Sequence, residues 1–406
     1  MTSWVEISES SDERLRSNFA VLQEAAGGAC VLAVIKADAY GHGLEHCARI
    51  LSGAGAEWLG VTGVEEGRAV RRTLLAGGIA LEKQPEILVM CGISEEDAEA
   101  IVSESLTPTV WTAQQIGWLA AAANRKTGPL GSPVRVHVEV DSGMSRQGAR
   151  PGAELAEVVR AIEAAQGVLL GGLMTHFASA EVAGSEQTRH QRRQFEVALD
   201  EVKATGSAPE WLNVGNTSGV DLVGGAEDVM AWVERLAGEM GARAMTRSGL
   251  GLYGYSLGIE GDTAARSRLA GRLQPVMTWK AKVIGVEDLP AGAAVGYNGI
   301  FVTQRPMRLG LVAAGYADGL RRDLSSSNDR AGGWVMVRGK RAAVVGRVSM
   351  NLTTVDVSGI EGVRVGDEVV LLGEGVSAED HARICGTISY EILCGVRAAG
   401  RSISTP

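Results

Sequence analysis

Lys36 closes an apolar run and opens a glycine-bracketed turn in AVIKADAYGHG (33–43). A lysine at the end of a buried strand stands where barrel enzymes build their active sites. Its amine can form a Schiff base with a carbonyl cofactor, and burial or neighbouring cations make it a usable base. Tyr40 follows four residues later and could bring a hydroxyl to a phosphate. Taken singly, a lysine is more often a solvated loop residue. The strand before it, with Gly41 and Gly43 after it, sets the chemical reading level with the bland one. The chain has no lysine cluster and no Walker-type loop for a phosphate. Two small, hydroxyl-rich segments, GNTSG (215–219) and RSGLG (247–251), offer backbone N–H groups instead.

These residues need a scaffold, and the chain supplies one. Eight short apolar runs alternate with helical stretches: CVLAVIK (30–36), WLGVTG (58–63), EILVMC (86–91), TPTVW (107–111), VRVHVEV (134–140), VLLGGLMTHF (168–177), WLNVG (211–215) and RAMTRSG (243–249). Between them lie Ala-, Leu-, Glu- and Arg-rich stretches with helical periodicity, such as AELAEVVRAIEAAQG and SEQTRHQRRQFEVALDEVKATG. The stretch 219–242 has room for more than one helix. Eight strands with intervening helices suggest a (β/α)8 barrel, whose phosphate sites commonly follow strands seven and eight. After about residue 265 the pattern becomes alternating and β-branched, as in VMTWKAKVIGVEDL, GIFVTQ, MRLGLVAAGY, WVMVRGKRAAVVG, LTTVDVS and DEVVLLG. That reads as a mostly β, antiparallel domain with one helical stretch at 377–386. The expected division is 1–258 for the barrel and 259–406 for the β domain. WVEIS (4–8) reads as a strand that could attach residues 1–10 to the second domain.

With 406 residues, two domains are expected, and 45% hydrophobic residues can fill their cores. A net charge of −9 argues against a nucleic-acid or anionic-membrane binder. The first residues lack a basic flank and apolar core, and no apolar run is long enough to span a membrane. Five cysteines at 30, 47, 91, 385 and 394 show neither CxxC nor metal spacing, so no metal is expected and a reducing cytoplasm is the simplest setting.

VIKADAYGHG resembles the pyridoxal 5′-phosphate (PLP) attachment motif of the alanine racemases, and further segments resemble that family in order along most of the chain. The resemblance implies a (β/α)8 barrel with Lys36 bound to PLP. VDSGMSRQG (140–148) then supplies Arg146 to the PLP phenolic oxygen and to substrate. MTHFASAE (174–181) places His176 beside the pyridine ring, and RSGLGLYG (247–254) sets Arg247 against its nitrogen. Tyr40, Thr217, Gly249 and Leu250 become the phosphate ligands, the last two through backbone N–H. VGYNGIF (295–301) carries Tyr297 as the second catalytic base, and AAGYADGLRR (313–322) places Tyr316 and Arg322 on the substrate-access path. GRVSMN (346–351) lines the substrate pocket with Met350. The implied partner is a second copy of the chain, because the family's tyrosine comes from the other subunit of a homodimer with shared sites. The implied activity is interconversion of L- and D-alanine, supplying D-alanine for peptidoglycan. Positive charge near Tyr297, with His176 and Arg247 as candidates, would favour its phenolate.

Four positions depart from the family pattern. Glu139 stands where many members carry a carbamylated lysine, and its carboxylate could supply that charge to Arg146. Asn213 replaces a histidine that steadies Arg247. Ser349-Met350-Asn351 replaces Cys-Met-Asp, and Ala398 replaces a tyrosine near the C-terminus. Asn351 and Ala398 keep open a broad-specificity racemase acting on serine, lysine or arginine. A decarboxylase of similar architecture lacks its cysteine and acidic signature here. A PLP-homeostasis protein would resemble the barrel alone.

Overall fold

The structure is a computed structural model that describes residues 3–125, 133–223, 228–261, 266–398 and 400–404. Its contacts divide the chain into two compact units. One comprises Leu15–Ala39 and Gly43–Gln274; the other takes the N-terminus to Arg14, Tyr40–His42, and Pro275 to the C-terminus.

The first unit is a closed parallel barrel. Its strands are β2 (Cys30–Val34), β3 (Trp58–Val61), β4 (Glu86–Val89), β5 (Thr107–Val110), β6 (Val134–Glu139), β7 (Val168–Met174), β8 (Trp211–Asn213) and β9 (Arg243–Ser248), with β9 pairing both β8 and β2. All eight apolar runs of the sequence thus become barrel strands. Near-continuous hydrophobicity marks them because a parallel strand is buried on both faces. The helices around them show the complementary pattern. In α6 (Ala153–Ala164) the buried residues Leu155, Val158, Val159 and Ile162 recur at helical spacing. Helix α7 (Glu186–Ala204) starts at Ser185, whose hydroxyl accepts the Thr188 N–H, and buries Phe195, Leu199 and Val202. The stretch 219–242 holds the end of a short helix, Thr217–Asp221, and α8 (Val229–Met240); residues 224–227 lie outside the described residues.

The other unit is built on one long strand, β10 (Thr278–Leu289). Its first half pairs with β1 (Ser3–Ser8) on one side and β15 (Glu368–Leu372) on the other; its second half pairs with β11 (Met307–Val312). The strand β14 (Thr353–Asp356) pairs with β11, and β12 (Trp334–Val337) and β13 (Lys340–Ala343) form a hairpin beside β15. Among the described residues of this unit, only β1 and β16 (Arg401–Ser404) pair in parallel. The expected GIFVTQ strand shrinks to Phe301–Val302, paired with Ala294–Val295, because the tight turn Tyr297–Gly299 lies between them. Among the described residues no helix is long and apolar enough to cross a membrane.

One barrel position leaves no room for a side chain. Gly172 pairs with His137 across β6 and β7, and a Cβ there would sit 2.7 Å from the imidazole. Gly172→Ala is expected to destabilise the barrel by about 1–3 kcal/mol through overpacking. Urea unfolding checks this, and an unchanged midpoint would contradict the packing described.

Candidate active site

The barrel's candidate residues gather at the C-terminal ends of its strands. Lys36 follows β2 and is half-buried. The residues after it adopt left-handed backbone, with φ of 55° at Ala37, 54° at Asp38, 53° at Ala39 and 54° at Tyr40. Left-handed conformation costs an L-residue roughly 1–2 kcal/mol, so the surroundings must hold this turn. Asp38 anchors its far side: its carbonyl accepts the Gly43 N–H at 2.9 Å and its carboxylate accepts the Leu44 N–H at 2.8 Å.

Arg247, at the end of β9, is the most constrained side chain. It is 5% exposed. One terminal nitrogen donates to the Asn213 carbonyl at 2.8 Å and to Asn213 Oδ1 at 2.7 Å. The other donates to the Thr175 carbonyl at 2.8 Å and to His176 Nδ1 at 3.1 Å. Burial pulls the guanidinium down to about 10, while Glu139 opposes that shift, so it remains charged. Asn213 Nδ2 lies 3.4 Å from Nδ1 of the buried His137. With its oxygen committed to Arg247, the Asn213 amide presents N–H to that nitrogen, so His137 carries its proton on Nε2.

His176 is lowered to about 3, first by burial, then by Arg247, Arg146 and Lys36. It is therefore neutral at ordinary pH, and the positive charge that the sequence assigned jointly to His176 and Arg247 does not rest on the imidazole. Gln191 on α7 fixes the backbone there, donating to the His176 carbonyl at 2.8 Å and accepting from the Ala178 N–H at 2.9 Å. Arg146 is exposed on a loop folded around Asp141, whose carboxylate accepts the N–H groups of Gly143, Met144 and Ser145. Glu139 is buried, its carboxyl held by Gln147 Nε2 at 2.5 Å. Desolvation raises its pKa against the bond from Gln147 and the fields of Arg247 and Arg146.

The phosphate candidates separate. Thr217 is buried, and its Oγ1 accepts the Gly251 N–H at 3.2 Å, which leaves its own O–H free to donate. Gly249 and Leu250 open the turn Leu250–Tyr253, where the first N–H groups have no acceptor within the turn. Ser248 Oγ beside them is buried without a partner among the described residues. This is a set of neutral donors, and it suits a phosphate. Tyr40 lies in the other unit, 5.9 Å between ring centroids from Tyr390; burial drives its phenol upward, so it stays a protonated donor.

Tyr297, Tyr316, Arg322 and Met350 also lie in that unit, and all are exposed. Backbone bonds from Tyr316 to Ser349 and from Ala317 to Met350 tie two of their segments together. Tyr297 is 67% exposed and Met350 56%. Asn351 is exposed and Ala398 half-buried. The sequence reading passed over Gln147, Gln191 and Thr175, which secure the site rather than face it. Gln191 stands among mostly polar residues of α7, so the sequence carries no signal of its burial.

A closed parallel barrel with a lysine at one strand end and an arginine–histidine–asparagine network at others, followed by a β domain, defines a barrel enzyme of two-domain type. Family models for the alanine racemase N-terminal and C-terminal domains match residues 11–257 and 276–403. The chain belongs to the alanine racemase family, isomerases that use PLP. It is 35% identical to the alanine racemase of Symbiobacterium thermophilum over 97% of this chain and 94% of that one. The alanine racemase structure from Streptomyces coelicolor A3(2) superposes with a TM-score of 0.84 at 31% identity, covering 99% of this chain and 97% of that one. An alanine racemase from Bartonella henselae has the same fold at 23% identity, with a TM-score of 0.78 over 100% of both chains, and its structure holds covalently bound pyridoxal phosphate.

His137 and His176 keep their rings neutral down to about pH 3, whereas an ordinary imidazole protonates near 6.5. The unfolded chain binds more protons between those values, so stability is full above about pH 6.5 and falls as pH drops toward 3. Urea midpoints should decline across that window, less steeply in His137→Asn. A midpoint independent of pH there would contradict the burial of both rings.

Proposed function

We propose that this chain is an alanine racemase interconverting L- and D-alanine with two bases, Lys36 and Tyr297. The observation that carries the reading is Arg247, buried between Asn213 and His176 at the end of the strand that pairs with the one Lys36 closes. PLP, when bound, supplies the electron sink that makes the substrate Cα–H acidic. Thr217, Tyr40 and the N–H groups of Gly249 and Leu250 hold its phosphate, Arg146 its phenolic oxygen, Arg247 its ring nitrogen and His176 one ring face. Lys36 anchors the group and, once freed, moves a proton at Cα on the face that yields or consumes the D-enantiomer. Tyr297 does the same on the L face. Its hydroxyl needs positive charge nearby to serve as a base. With His176 neutral, that charge comes from the arginines. Arg247 keeps its own proton, so it would donate to the ring nitrogen without protonating it, which would suppress side reactions that need a stronger sink.

The division of labour follows the two domains read from the sequence, 1–258 for the cofactor and 259–406 for Tyr297. The exposure of Tyr297, Tyr316 and Met350 supports a homodimer in which they face a second copy. Tyr316 and Arg322 then guard access, and Met350 lines the pocket. D-alanine for peptidoglycan is the product's use, and five free cysteines suit the cytoplasm.

Chiral chromatography of L-Ala, L-Ser, L-Lys, L-Arg and L-Met after incubation with PLP-loaded protein tests the reading. Alanine alone should racemise strongly. Lys36→Ala should abolish turnover, and Tyr297→Phe should lower kcat roughly 10²–10⁴-fold. Comparable turnover of serine, lysine or arginine would move the assignment to a broad-specificity racemase, with Asn351 and Ala398 the residues to examine. No racemisation of any substrate would sink it.

A further inference from the structure

We propose that Glu66 is a positioning residue that holds Lys36 in its working direction. The proposal rests on the reading of Lys36 as the cofactor lysine and deepens it. Glu66 stands in the first turn of α3 (Val64–Ala76), half-buried. Its Oε2 accepts the Thr62 N–H at 2.7 Å, just ahead of its own helix. Its Oε1 reaches a different element: it accepts the Ala37 N–H at 2.8 Å and meets the Asp38 N–H at 3.4 Å. These are the two residues directly after Lys36, and both are left-handed.

A cap for α3 needs only the first of these bonds. The second set does something else. Left-handed residues other than glycine persist only where neighbours over-determine them. On the far side of the turn the anchor is local, from Asp38 to Gly43 and Leu44. On the side next to Lys36 a carboxylate from the following βα loop supplies the acceptor. A carboxylate suits this task because both oxygens only accept, and bonds to an ionised acceptor are the stronger kind. One side chain therefore joins the loops after β2 and β3. Without it the turn relaxes toward right-handed backbone, and the Lys36 side chain swings away from its direction.

The test uses Glu66→Ala, Glu66→Gln and the unsubstituted chain, with Lys36→Ala as control. Three quantities are read: the rate at which cofactor-free protein mixed with PLP develops the visible band of the lysine-bound cofactor, kcat and KM for alanine, and the melting temperature. Glu66→Ala should slow band formation and lower kcat, each roughly tenfold to a hundredfold. KM should change by less than about twofold, because substrate contacts are untouched. Glu66→Gln keeps one accepting oxygen and should recover part of both rates. Rates within about twofold of the unsubstituted chain in Glu66→Ala would overturn the proposal. So would a loss that merely tracks the fraction of folded protein in both variants. If Lys36→Ala still develops the band, the failure belongs to the assignment of Lys36 and not to Glu66.

Discussion

A guanidinium taken out of water must find acceptors for its N–H groups, or it costs several kcal/mol. Arg247 meets that demand with backbone and side-chain oxygens from Asn213 and Thr175 and with the ring nitrogen of His176. Those residues come from the ends of β7 and β8, so one side chain sets how three neighbouring strand ends terminate. Much follows from the single requirement. Asn213 has to turn its oxygen toward Arg247, which hands its N–H to His137 and settles that ring's tautomer. His176 has to offer an unprotonated Nδ1, and the surrounding charge keeps it so. Gly172 has to lack a side chain because His137 occupies the space beside it.

The scaffold was legible because its physics is local. A strand buried on both faces is mostly apolar, and most of the eight runs showed it, RAMTRSG least. The helices between them carried their periodicity openly. Candidate residues were legible where a motif fixes both residue type and backbone, as around Lys36 and in RSGLG. What stayed hidden depends on distance along the chain. Nothing in the sequence near Glu66 marks it as the acceptor for Ala37, since the two lie on different loops and the glutamate looks like any residue in an acidic first helical turn. Gln191 is similar: it sits in a helix of mostly polar residues and is fully buried because it ties down the His176 backbone. The charge on His176 was misjudged for a related reason. Proton affinity is set by burial and by which cations share the cavity, and neither is written in the residue's neighbours along the chain.

The strand pairing of the β unit has a consequence for how the chain is made. Among the described residues, strand β1 finds its partners only in β10 and β16. Every barrel strand is synthesised before either partner exists. The barrel segment can therefore complete its hydrogen-bond circuit during translation, while the leading strand waits with its ladder unmet. Its ladder fills when β10 pairs with it antiparallel and β16 lies along its other edge in the same direction. A domain whose first and last strands must meet has high contact order and folds slowly. In this chain that cost falls on the unit that bears Tyr297, while the strand circuit of the unit that bears Lys36 closes without β1.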